Sequence, residues 1–76
     1  MYKQLLMKFG QKVRRERLKQ HLSQDAFALK AQFHRTYIGR VERGETNITL
    51  TNMVKISRAL NMDLSELVRK SVLERS

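Results

Sequence analysis

Leu22-Ser23-Gln24-Asp25-Ala26-Phe27-Ala28-Leu29-Lys30-Ala31-Gln32-Phe33-His34-Arg35-Thr36-Tyr37-Ile38-Gly39-Arg40-Val41-Glu42-Arg43-Gly44 is the stretch on which the fold turns. Ser23 stands where an N-cap belongs, and Gln24 and Asp25 follow in a first turn that favours negative charge. Phe27, Ala28 and Ala31 give this first short helix a narrow apolar face. A break at Gln32–His34 leads to a second helix over about Arg35–Arg43, with Ile38 and Val41 inward at helical spacing. Gly44 then ends it, because glycine alone takes left-handed geometry without penalty. Two short helices joined by a tight turn need a small residue where they cross and apolar plugs on both sides. Ala28 meets the first demand; Phe27, Ala31, Phe33, Ile38 and Val41 meet the second.

The pattern continues in both directions. Upstream, a helix over about Tyr2–Gln20 spaces Leu5, Leu6, Phe9 and Val13 along one face, with Lys and Arg around the rest. Downstream, Thr49 caps a fourth helix with Leu50, Met53, Val54, Ile56 and Leu60 mostly inward. Asp63-Leu64-Ser65-Glu66 is close to a capping box and opens a fifth helix carrying Leu64, Leu67, Val68 and Val72. There is no proline, and strand signals are missing. The expected fold is all-α, five helices in one domain over residues 1–76, with the central motif at about 24–43. A chain of 76 residues buries only about 60% of its unfolded surface, so a partner subunit is expected to help.

Charge points to a partner. Sixteen Lys and Arg against seven Asp and Glu give +9, which suits a polyanion, either nucleic acid or an acidic membrane face. The excess is +6 over residues 1–21, +1 over 22–49 and +2 over 50–76, so charge alone does not locate a site. With no cysteine, disulfides and thiolate metal sites are excluded, and a reducing cytoplasm is the expected setting. Two isolated histidines do not suggest a metal site. No apolar run approaches the roughly 20 residues needed to cross a bilayer, and no signal peptide is evident. No nucleophile–base pair, acidic cluster or phosphate loop supports an enzyme. No metal, cofactor or small-molecule ligand is expected.

Two short helices joined by such a turn form the helix-turn-helix, which lays its second helix in the major groove of DNA. The residues that carry it, Leu22–Ala28 and Arg35–Gly44, resemble the lambda-repressor/Cro-like (XRE) family. Asn47-Ile48-Thr49-Leu50 and Leu60–Leu67 are similar to that family's fourth and fifth helices. The likeness runs over about Phe9–Val68. Within the family, the Arg-Thr-Tyr-Ile run ending in Glu-Arg, with Asn47 and Thr49 beyond it, resembles controller proteins of restriction–modification systems. The sequence departs from the pattern where Gln32, His21 and Asn61 occupy usual glycine sites. His34 replaces the customary Ser, Thr or Asn cap, and Glu16 stands where relatives carry an apolar residue.

In such a fold the start of the reading helix faces base edges. Arg35 is the first candidate for direct readout, since its fork matches guanine O6 and N7; its rival role is a phosphate clamp. Thr36 suits a thymine methyl or a base edge, and Arg40 a base or a phosphate. Gly39 either lets the backbone approach DNA closely or is a passenger. Gln24 is expected at a phosphate beside the backbone N–H groups of its helix start. The resemblance assigns phosphates to Tyr37 and Arg17, although a partly buried aromatic is the rival role of Tyr37. Arg43, Asn47 and Thr49 surround the next loop and are expected on backbone beyond the groove. Glu42 reads as structural, orienting Arg35 or Arg17. A two-fold homodimer on a pseudo-palindromic operator is expected, since one reading helix spans only a few base pairs. The resemblance puts dimerisation at about residues 60–73, with Leu64, Leu67 and Val68 contributing. Two rivals remain at this level: an antitoxin or phage-type repressor of the same fold, and a sequence-independent architectural binder.

Overall fold

The computed structural model describes residues 2–69. Among these the chain forms five helices and no strand: α1 (Tyr2–Lys19), α2 (Gln24–Ala31), α3 (Arg35–Glu42), α4 (Leu50–Ala59) and α5 (Leu64–Val68). Three starts are fixed by side chains that accept orphan N–H groups of the first turn. Ser23 Oγ accepts from Ala26 N–H at 3.0 Å, and Thr49 Oγ1 from Asn52 N–H at 3.1 Å. His34 does the same work with imidazole, its Nδ1 accepting from Thr36 N–H at 3.0 Å. At α5 the Asp63 half of the near capping box is not made. Asp63 has the extended backbone of a cap, yet its side chain makes no capping hydrogen bond.

Helices α1 to α4 end in one way. A residue in left-handed geometry follows each: His21, Gln32, Gly44 and Asn61, with φ of 58°, 63°, 71° and 57°. The N–H after each returns to a carbonyl five positions back, as from Phe33 to Ala28 at 2.8 Å and from Glu45 to Arg40 at 2.8 Å. This Schellman closure satisfies carbonyls that the helix end leaves open. In three of the four cases the residue after the turn is apolar (Leu22, Phe33, Met62) and packs against the core. That burial offsets the left-handed strain of a non-glycine residue, on the order of 1 kcal/mol each.

The core gathers Phe9 and Val13 from α1, Phe27, Ala28 and Ala31 from α2, and Ile38 and Val41 from α3. Ile56, Ala59, Leu60 and Leu67 close it. Helix α1 lies across α3, α2 packs on α3 and α4, and α5 touches α1 and α4. The α1–α3 crossing depends on Gly10, where an added Cβ would stand 2.2 Å from the Val41 carbonyl oxygen and 2.6 Å from that of Glu42. Two apolar residues expected inward face outward. Leu5 is 37% exposed, because the approach made at Gly10 turns the buried stripe toward Leu6, Phe9 and Val13. Leu50, the first residue of α4 after the Thr49 cap, is 68% exposed. Val72 lies outside the described residues.

Candidate nucleic-acid interface

Helix α3 divides its residues by angle. Ile38 and Val41 enter the core, Glu42 turns toward α1 and α2, and Tyr37 toward α4. Arg35, Thr36, Arg40 and Arg43 remain on one exposed arc, with Gly39 between them. Gln24 flanks that arc from the start of α2, in a hollow of about 360 Å³ shared with His34, Arg35, Thr36, Gly39 and Arg43. On the other side the start of α4 is tied to α3, since Asn52 Nδ2 donates to the Tyr37 hydroxyl at 3.0 Å. Two helix starts therefore border the exposed face of a third. Their unpaired N–H groups and positive ends make both borders favourable for anions.

The arrangement is held from within by Glu42. Its carboxylate accepts from Arg17 Nε at 2.6 Å, Arg17 Nη2 at 3.0 Å and Gln24 Nε2 at 3.0 Å. Arg17 also donates through Nη1 to the Leu22 carbonyl at 2.8 Å, so one guanidinium closes the end of α1 and pins α3. Arg17, which the resemblance assigns to a phosphate, is 5% exposed here, and its Nε, Nη1 and Nη2 each donate to a protein acceptor. Glu42 has the orienting role read from the sequence, with Arg17 rather than Arg35 as its partner. Gln24 stays at the surface edge with its amide nitrogen tethered and its carbonyl oxygen on the hollow side, 3.8 Å from where a Gly39 Cβ would stand.

The remaining candidates sit on or beside the arc. Arg35 is 3.6 Å from Asp25, a loose pair with both side chains well exposed, so its fork stays available. Arg43 pairs with Glu45 at 3.0 Å. The Arg43 guanidinium holds the Glu45 carboxyl below its ordinary 4.5, and the carboxylate raises Arg43 in return. The head of Arg43 folds back over Gly39, 3.1 Å from where a Cβ would lie. Close approach to the Gly39 backbone therefore requires that arginine to swing out. The Tyr37 ring is half-buried against Phe33, centroids 4.8 Å apart. The ring therefore packs, as one of the two roles read for Tyr37 requires, while the hydroxyl accepts from Asn52 and keeps its own proton to donate. Asn47 and Thr49 are exposed in the loop and cap before α4. His34, accepting through Nδ1, carries its neutral-ring proton on Nε2 and presents a donor at the start of α3.

Asn52 and Gly10 were not singled out by sequence reasoning. Asn52 had a local signal in its place three residues after the Thr49 cap; its bond to Tyr37 had none. On α5, Leu67 is fully buried inside the protomer, whereas Leu64 and Val68 are half-buried. Residues 70–73 of the expected dimer region lie outside the described residues.

Comparison with known proteins agrees with this geometry. The helix-turn-helix family model HTH_3 matches residues 13–67. The chain belongs to this helix-turn-helix family. It is 48% identical over 61 residues to control protein C.BamHI of Bacillus amyloliquefaciens, covering 79% of this chain and 75% of that one. Among solved structures it resembles the restriction–modification controller protein C.AhdI of Aeromonas hydrophila. That pair has TM-score 0.79 and 42% identity over 82% of this chain and 94% of the other. It also resembles the controller protein C.Esp1396I, solved as a tetramer in complex with its natural 35 base-pair operator. There the TM-score is 0.80, with 29% identity over 92% of this chain and 96% of that one.

Proposed function

We propose that this chain is a transcriptional regulator that binds operator DNA sequence-specifically as a dimer, with α3 in the major groove, and controls restriction–modification genes from the cytoplasm. The observation that carries this is the exposed arc of α3, where Arg35, Thr36, Arg40 and Arg43 stand together between two anion-favouring helix starts. Arg35 leads the helix, is free to turn, and suits guanine; Thr36 and Arg40 stand beside it as the other base-reading candidates. Gln24, Tyr37, Arg43, Asn47 and Thr49 form the surrounding phosphate set. Arg17 supports that set from below. Leu64, Leu67 and Val68 of α5 are the proposed contributors to the dimer, the first and last half-buried and Leu67 supporting them from the core, within a single unit. Among the described residues no helix is long and apolar enough to cross a membrane.

Selection of bound duplexes from a random oligonucleotide pool tests the reading. A pseudo-palindrome with half-sites about one helical turn apart is expected. Repeating the selection with Arg35→Ala should relax one symmetric base position, a loss of roughly 1–3 kcal/mol of discrimination. No enrichment with the wild-type chain would reject sequence-specific binding.

A further inference from the structure

The first three turns of α1 precede the part of the chain that the family model matches, which begins at residue 13. They are anchored at two places, on the last residues of α3 and on the turn that follows. Gly10 brings α1 onto the Val41 and Glu42 carbonyls, and a Cβ at Gly44 would stand 2.8 Å from the backbone N and Cα of Met7. Contact at Met7 fixes where the preceding turn lies. Tyr2, Lys3 and Leu6 line one wall of a hollow of about 440 Å³, and Gly44, Glu45, Thr46 and Asn47 line the other.

We propose that Lys3 is a further DNA phosphate-binding residue, carried to the edge of the interface by the anchored start of α1. The inference rests on the DNA-binding reading above. Lys3 is exposed and, among the described residues, has no ion-pair partner. The one carboxylate lining that hollow belongs to Glu45, which is already paired with Arg43 at 3.0 Å. The lysine charge reaches the loop, since it contributes to lowering the Glu45 carboxyl, after Arg43 and Arg40. Asn47, a phosphate candidate, shares the hollow. A backbone phosphate on Asn47 would thus meet the Lys3 ammonium across the same hollow. The other cations of α1 do not share this position. Arg14 and Arg15 line a separate hollow with Gln11 and Leu18.

The experiment is fluorescence anisotropy over a salt series, on a duplex recovered by selection and on a scrambled duplex. Wild type, Lys3→Ala, Lys3→Gln, Lys3→Arg and Arg15→Ala are compared, each checked for an unchanged thermal unfolding midpoint. Lys3→Ala and Lys3→Gln should weaken binding to both duplexes alike. They should also shallow the log–log salt slope by about 0.9 per protomer, while Lys3→Arg and Arg15→Ala leave it in place. An unchanged slope in the two neutral Lys3 variants overturns the inference, as does an equal loss from Arg15→Ala, which would make the effect one of general charge. If the wild-type chain binds neither duplex, the DNA-binding reading itself fails and takes this inference with it.

Discussion

Glu42 is the residue on which the interface depends without belonging to it. A carboxylate 6% exposed that accepts three hydrogen bonds is compensated only while all its partners are present. Removing one side of such a pair leaves a buried charge alone. Arg17→Ala should therefore destabilise the fold by about 3–5 kcal/mol, read as a lowered urea midpoint, whereas loss of a surface phosphate ligand would leave the midpoint unchanged. Glu16 shows the milder case. It bonds Lys12 at 2.7 Å and Lys19 at 3.2 Å, and the Lys12 ammonium holds its carboxyl below the ordinary 4.5. Folding lowers this pKa, so the stabilisation is complete above 4.5 and drains away as pH falls through the folded value. Glu16→Gln should cost about 0.5–1 kcal/mol near neutrality, with the gap closing in denaturation curves as pH falls below the ordinary carboxylate value. The ion pair also explains how a charged residue fits where relatives carry an apolar one.

At the scale of elements, α3 is aimed by what α1 and the turns do to it. Gly10→Ala would drive a methyl group into two backbone carbonyls, neither of which is a flexible side chain. A loss of about 3 kcal/mol or more is expected in thermal unfolding, together with weakened DNA binding as α3 shifts. Gln32→Gly acts oppositely: it removes left-handed strain between α2 and α3 and should stabilise by on the order of 1 kcal/mol. These elements also show what the sequence could and could not disclose. Caps at Ser23 and Thr49, and the left-handed sites at Gln32 and Gly44, were legible because cap, helix and turn lie within a few residues of one another. The Arg17–Glu42 pair was only partly legible, since its members are 25 positions apart and meet through the α1–α3 crossing. Gly10 was missed for the same reason: what requires glycine there is a carbonyl far along the chain. Leu50 misled, because an apolar residue at a helix start need not reach the core.

Across the whole molecule, the net charge of +9 and the buried charges answer to different conditions. Salt screens the exposed arc, so DNA affinity should fall steeply as it rises, while the Arg17–Glu42 pair, out of reach of counterions, leaves the fold nearly indifferent. Parallel titrations of binding and of the unfolding midpoint against salt should separate the two. The helix ends have a consequence of another kind. His21, Gln32 and Asn61 together hold on the order of 3 kcal/mol of conformational strain, which a triple glycine variant would release. At about 1.4 kcal/mol per factor of ten, that strain raises the unfolded fraction roughly a hundredfold. A protease that degrades only unfolded chains would then clear the natural sequence faster than the triple variant, and the concentration of a regulator would follow its turnover.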